Sequence, residues 1–396
     1  MLFKENHKID LFTCILFFFF VLYIFNIFII HQNFDKLISV KILLLNYDGG
    51  FIRRGLLGEF ITKISLFFDL SLKNVFFLLH IINYSIFFLL NYLFFKRFKK
   101  NYIFYFFVFS PIYFTFTLGD VSSPYAEFLI QRESYLITFF LFFCYLIVQS
   151  NKRMTTYFIG LIGIIIMSFL YELTIFTYPF FFTAYYYFLK RNNFKINLFE
   201  TVFAFFICIL IIFLHIGQYG NNDLLLVIEN LNNNFNLNYS ENDFMYSWIN
   251  RGITQQVNDI FVNVEFRYIL RYFFYAHPVF LIFYIIAKNY NDKNTVYLTC
   301  ISILSFLLIF AIAIDWARFL HILYCFVLFL SLLQIKNKNI FLMIAKNDFL
   351  SKFNKVTLNL LVFFYCTMWT LKHTYWQNHL SYGIFKILKK NLLYLY

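Results

Sequence analysis

Charge is scarce in this chain. Only 13% of its 396 residues are Asp, Glu, Lys or Arg, about half the ~25% of a soluble domain. That is too little to cover a water-facing surface. Glycine (11) and proline (4) are also few, which excludes collagen-like, linker-rich and low-complexity disordered classes. The six cysteines, Cys14, Cys144, Cys208, Cys300, Cys325 and Cys366, all fall inside apolar runs. An extramembrane disulfide framework is therefore not expected, and no pair has metal-ligand spacing. There is no H-E-x-x-H, G-x-S-x-G or C-x-x-C, which argues against metalloprotease, serine hydrolase and thiol-redox chemistry. Walker A and Rossmann glycine patterns are missing too, so no nucleotide-binding domain is expected.

What is abundant is apolar. Hydrophobic residues make up 61% of the chain and the mean hydropathy is +0.69. Apolar runs of about 20 residues recur from end to end, the length that crosses a bilayer as a helix. The runs are continuous and do not alternate, which excludes a β-barrel. The expected fold is all-α: a polytopic transmembrane helical bundle forming a single integral membrane domain over residues 1–396. Phe (63) and Tyr (31) are in excess together with Ile, Asn and Lys. This is the signature of an AT-rich coding sequence and says little about ligands.

The runs predict about eleven spans: Leu11–Ile30, Asn74–Phe95, Tyr102–Leu118, Tyr135–Gln149, Thr156–Leu170, Thr174–Leu189, Leu198–Ile216, Ile269–Ala287, Thr295–Ile314, Ala317–Ile335 and Val356–Leu371. The fourth to sixth are short for a ~30 Å hydrocarbon core, so tilting or breaks are expected there. The first run lacks a small-residue cleavage site and reads as a retained span. The net charge of +13 lies mostly in short clusters between runs and not along one stripe, so nucleic acid is not an expected partner. These clusters are Lys4 with Lys8, Lys96 to Lys100, Lys152-Arg153, Lys190-Arg191 with Lys195, Lys288 with Lys293, and Lys336 to Lys355. With eleven spans they all fall on one side, the cytoplasm. The N-terminus is then inside and the C-terminal tail outside. A first outer loop covers residues 31–73, and a long one covers residues 217–268.

The polar constellations sit on that outer side. Tyr47-Asp48-Gly49-Gly50-Phe51-Ile52-Arg53-Arg54-Gly55 puts an acid, three glycines and two adjacent arginines together. Glycine-freed N–H groups and forked guanidiniums suit a phosphate. Leu57, Phe60, Ile61, Ile64 and Phe68 follow at helical offsets, with Glu59, Thr62 and Lys63 on the other side, which predicts an amphipathic interfacial helix after the first span. Gly119 to Glu133 offers Asp120, Glu127, Gln131, Arg132 and Glu133, with Ser123-Pro124 as a helix start. Glu172 lies in a tight turn between short spans, where a carboxylate is costly unless paired. Asp315 and Arg318 lie one helical turn apart, with His321 following, and Arg271 shares a helix face with Arg267. Each feature also has a local reading as turn, cap or surface ion pair. Taken together they name Asp48, Glu172 and Asp315 as candidate catalytic acids. Arg53, Arg54, Glu127, Arg132, Glu133, Arg271, Arg318 and His321 are the candidate substrate-binding residues.

A first span, an acidic outer loop with a juxtamembrane amphipathic helix, and many further spans resemble the GT-C superfamily of polyprenyl-dependent glycosyltransferases. Size, span count and the long late outer loop also resemble Wzy-type polysaccharide polymerases. Tyr47 to Gly58, Arg132-Glu133 and Asp315-Trp316-Ala317-Arg318 look like phrases of bacterial multi-span proteins from surface-polysaccharide loci. The resemblance implies transfer from a polyprenyl-linked glycan at the outer face of the bacterial cytoplasmic membrane. Asp48 would be the base, and Arg53, Arg54 and Arg318 would meet the lipid phosphate. The chain departs from the GT-C pattern in lacking a second acid two residues from Asp48 and any W-W-D-Y-G-like motif. This argues against oligosaccharyl transfer. No cofactor is expected; a divalent metal is compatible with the resemblance, but no residue pattern supports it. The expected partners are membrane lipid, the lipid-linked glycan and other polysaccharide-assembly proteins. The alternatives are a flippase for the same lipid or a non-catalytic membrane subunit. The lack of an internal repeat and the few charges in span centres count against transport.

The orientation is testable by labelling intact cells with an impermeant thiol reagent after Asn232→Cys or Asn337→Cys. Residue 232 should label and residue 337 should not; the reverse pattern would overturn the topology.

Overall fold

The computed structural model describes residues 10–50, 54–118, 128–217, 223–241, 264–289, 292–313, 315–335, 339–345 and 354–369, together with the isolated positions 258, 262, 384 and 389. Among the described residues every regular element is helical and there is no strand. In chain order the helices are α1 (Leu11–Gln32), α2 (Ile38–Leu43), α3 (Leu56–Phe68), α4 (Leu72–Phe95), α5 (Tyr102–Val108), α6 (Glu133–Gln149), α7 (Arg153–Leu170) and α8 (Thr174–Arg191). They continue with α9 (Leu198–Gly217), α10 (Leu224–Phe235), α11 (Phe266–Tyr275), α12 (His277–Asn289), α13 (Lys293–Leu307), α14 (Trp316–Gln334), α15 (Ile340–Ala345) and α16 (Lys355–Met368).

Helical structure lies at each apolar run read from the sequence. Among the described residues five helical segments are long and apolar enough to cross a membrane, or six if the bent α11–α12 pair forms one span. They mark an integral membrane protein. The shorter apolar helices include Glu133–Gln149 and Lys355–Met368.

Helix starts follow local chemistry. The Asp10 carboxylate accepts from the Thr13 N–H at 2.9 Å, and the Ser71 hydroxyl from the Asn74 N–H at 3.3 Å, capping α1 and α4. Two expected spans are interrupted, and proline explains both. After α5 the chain breaks at Ser110, which is extended (φ −51°, ψ 138°), and resumes as a π-helical turn at Pro111–Thr115. A residue before proline avoids the helical region and the proline has no N–H to give. The second break, near Pro278, bends the α11–α12 pair by 42°.

The core is aromatic and centres on α14, 94% of whose apolar window is buried. Phe326 stacks on Phe140 of α6 at 4.1 Å between ring centres, with Phe180 and Phe181 of α8 edge-on at 5.4 and 5.8 Å. Each such pair adds about 0.5–1.5 kcal/mol beyond burial. Some polar side chains inside the helices are satisfied locally: the Asn26 and Asn91 amides donate to carbonyls one turn back at 2.9 and 2.8 Å. All six cysteines are free.

The amphipathic helix after the first span forms as α3, but its faces differ from the expected stripe. Leu57, Ile61, Thr62 and Ser65 are buried, whereas Phe60, Phe67 and Phe68 are exposed. Gly58 decides this orientation. A Cβ there would lie 2.0 Å from the Leu45 carbonyl oxygen, so only glycine lets α3 dock against the preceding loop. Gly58→Ala should therefore destabilise the purified protein by about 1–3 kcal/mol, read as a lower thermal midpoint in detergent. Phe60→Ala should leave the midpoint nearly unchanged.

Candidate functional site

The starts of α6 and α14 and the α7–α8 turn lie at one end of the bundle, and each carries charge there. On the first turn of α14, Arg318 donates from Nη1 to Asp315 Oδ2 at 2.8 Å and forms an ion pair with Glu133 of α6. Asp315 precedes α14 but its side chain makes no cap hydrogen bond. The Tyr171 hydroxyl, in the α7–α8 turn, donates to Glu133 Oε1 at 2.8 Å. The Tyr171 ring also carries the Arg54 guanidinium 5.3 Å from its centre, a cation–π contact. Arg54 donates from Nε to both Glu172 oxygens at 2.9 and 2.8 Å. Consecutive residues Tyr171 and Glu172 thus tie together the first loop, α6 and α14.

Arg54 is held in the left-handed region (φ 69°), a conformation a non-glycine residue adopts only when its surroundings fix it. Burial works against its charge, but Glu172 more than offsets this and holds the guanidinium above its ordinary range.

Arg132 differs from the other two. It is 3% exposed, its Nη2 donates to the Ile42 carbonyl at 3.0 Å, and its Nε is buried without a partner. Among the described residues it makes no ion pair. Burial first, and then the Arg54 charge, push it below the ordinary arginine range. Among the described residues the cluster has three guanidiniums (Arg54, Arg132, Arg318) and three carboxylates (Glu133, Glu172, Asp315). The formal charges of these six cancel, yet direct pairing among them leaves Arg132 out.

Below the ion pairs lies a cavity lined on its polar side by Tyr23, Tyr113, Gln131, Glu133, Arg318 and His321. At about 20 Å³ it fits a water molecule or two and not a sugar ring. Glu133 Oε2 and Arg318 Nε are buried without a protein partner, and a cavity water would satisfy them. His321 Nδ1 faces the Ile112 carbonyl, which assigns the proton to Nδ1 and leaves Nε2 as an acceptor. Among the described residues no group of three or more His, Cys, Asp or Glu could hold a metal ion.

The fold therefore brings together Arg54, Arg132, Glu133, Glu172, Asp315, Arg318 and His321. Asp48 and Arg271 are not tied into this cluster by any contact among the described residues. Asp48 accepts from the Asn46 amide at 3.1 Å and lies 3.7 Å from Lys63 Nζ on α3. It sits in a tight turn beside Gly49, whose carbonyl accepts from the Asp223 N–H at 2.9 Å. Arg271 lies over the Tyr268 ring at 5.4 Å. Its neighbour on the same face, Arg267, pairs with Glu265. Arg53, Asp120 and Glu127 lie outside the described residues, as does the stretch at Ser123-Pro124. Sequence reasoning marked the Tyr171-Glu172 pair but gave the tyrosine no role, and it missed Tyr23 and Tyr113, which lie inside apolar runs rich in aromatics and carry no signal.

No protein-family model, curated protein or solved structure matches the chain.

Removing one partner of a buried pair leaves an uncompensated charge, at a cost of about 3–5 kcal/mol. Exposed pairs are worth about 0–1 kcal/mol. Glu133, whose side chain is 7% exposed, and Lys63, at 60%, should therefore differ sharply. Glu133→Gln should markedly lower the thermal midpoint of the detergent-purified protein, while Lys63→Gln should barely move it. Equal shifts would overturn the view that the cluster organises this end of the bundle.

Proposed function

We propose that this protein is a membrane glycosyltransferase of surface-polysaccharide assembly. It takes its sugar from a polyprenyl-linked donor at the outer face of the bacterial cytoplasmic membrane. In this reading all eleven apolar segments cross or enter the bilayer, the N-terminus is cytoplasmic, and the ion-pair cluster faces outward. The observation that carries the reading is Arg132, a buried guanidinium with an unused donor at the bundle end where the charged segments meet. A lipid phosphate is the anion such a forked donor suits.

The geometry revises how the work is divided. Arg54 and Arg318 are already neutralised by Glu172, Glu133 and Asp315, so they hold the site in shape. Arg132 is left to bind the phosphate and to stabilise the charge that grows on it as the sugar departs. Its charge acts on Tyr47, the residue before Asp48, which supports a first loop lying beside the phosphate. Asp48 would take the proton of the acceptor hydroxyl. The water-sized cavity is too small for the glycan, so the sugar would occupy the open side of the cluster.

Surface glycan from a deletion strain complemented with each variant tests this, with membrane protein quantified alongside. Asp48→Asn keeps the shape and one acceptor oxygen, so it should cut glycan about 10²–10⁴-fold with donor-lipid binding retained. Arg132→Gln should lose donor binding and product together. Loss of product from Arg132→Gln with normal glycan from Asp48→Asn would favour a flippase, in which the anion is bound without chemistry. Normal glycan from both would overturn the assignment.

A further inference from the structure

Arg132 sits where a guanidinium is poorly placed. It precedes the first turn of α6, where the helix dipole presents positive charge. Burial and the neighbouring Arg54 charge also work against it. Its place therefore depends on the backbone that carries it.

That backbone is held by one face of α4. His80, Asn83 and Tyr84 lie at offsets 0, 3 and 4 on one side of the helix, and all three are buried. The Tyr84 hydroxyl donates to the Leu129 carbonyl. His80 Nε2 lies 3.0 Å from the Ile130 carbonyl oxygen. Its ring is set by Phe76, stacked at 4.3 Å, and by Tyr135, edge-on at 5.6 Å. The Asn83 amide donates to the Ser134 hydroxyl at 3.1 Å, which in turn donates to the Gln131 carbonyl at 2.9 Å. These contacts grip residues 129, 130, 131 and 134, on both sides of Arg132. Polar side chains inside a span are costly unless bonded, and each of these three directs a bond to the same short segment.

We propose that this face of α4 is a positioning clamp for Arg132. It fixes the segment 129–134 so that the guanidinium stays buried at the bundle end with its Nε unused. His80, Asn83 and Tyr84 are positioning residues, acting through the backbone and not on a ligand. The clamp rests on the Arg132 site described above and not on transfer chemistry.

The test measures how fast phenylglyoxal modifies Arg132 in the full chain purified in detergent, read for each arginine by mass spectrometry. Arg97 is the internal reference: it bonds the Leu332 carbonyl near the far end of α14, and its Nε is also buried without a partner. Tyr84→Phe and Asn83→Leu each remove one buried hydrogen bond. Each should raise the Arg132 rate roughly fivefold and leave Arg97 unchanged. His80→Gln keeps an N–H near the Nε2 position and should hold the Arg132 rate low, whereas His80→Leu should raise it. Thr183→Val removes the contact with Ser302 between α8 and α13 and controls for general loosening; it should lower the thermal midpoint without exposing Arg132. An unchanged Arg132 rate in Tyr84→Phe and Asn83→Leu would overturn the clamp. So would equal acceleration at Arg132 and Arg97, no difference between His80→Gln and His80→Leu, or acceleration by Thr183→Val as large as by Tyr84→Phe. Under the transferase reading Tyr84→Phe should also cut surface glycan. Normal glycan with an exposed Arg132 would count against that reading and leave the clamp standing.

Discussion

Much of this bundle depends on the cost of keeping a charge out of water. A chain with so few ionisable groups could place all of them in loops, yet Arg132 and Glu133 are buried at the bundle end and Arg318 is largely so. A buried charge is tolerated only when paired or hydrogen-bonded. The partners come from segments far apart in the chain: Arg318 meets Glu133, and Arg54 meets Glu172. Forming those pairs draws the first loop, α6, the α7–α8 turn and α14 into one arrangement. Tyr171 joins the two pairs, with its hydroxyl on Glu133 and its ring under Arg54.

The two ends of the bundle solve the charge problem differently. At the end carrying the cluster, guanidiniums face carboxylates across helices, and the resulting rigidity suits a site that must present one remaining donor. At the other end, Arg97 and Arg191 face helix-terminal carbonyls and aromatic rings. Between the ends the interior is held by stacked phenylalanines around α14. The Asn26 and Asn91 amides there donate to their own helix, while Asn91 also accepts from Tyr113 and Thr183 pairs with Ser302 across helices. The middle of the bundle is mostly apolar, and the ion pairs lie toward its ends.

The close approaches that shape the cluster end are made by backbone. Gly58 admits the Leu45 carbonyl, and Gly49 lies against the start of α10, where a Cβ would meet the Asp223 oxygen at 2.1 Å. Both glycines belong to the Tyr47 to Gly58 stretch that the sequence marks as unusual. Part of that glycine density therefore serves docking, and not only an anion-binding loop.

Much of the fold was legible in the residues. Apolar runs of bilayer length dictate helices, since no other local structure satisfies its own backbone in hydrocarbon. Where runs break was not legible: breaks were expected in the short fourth to sixth runs, which form continuous helices even around Pro179, and they occur instead at Pro111 and near Pro278. The candidate acids and arginines were also visible, because charge beside a span end is rare enough to stand out. Their pairing was not visible: Arg54 and Glu172 are 118 positions apart, and nothing local distinguishes a guanidinium that will meet a carboxylate from one that will not. Asp48 shows the same limit, for its sequence setting suggests a place among arginines, whereas the fold sets it beside Asn46 and Lys63. The sequence by itself determined that the chain is an α-helical membrane protein with charge at its helix ends. Only the tertiary structure decided which of those charges cancel and that Arg132 is left with a donor to offer. Helix formation depends on contacts four residues apart, while charge compensation depends on which helices become neighbours.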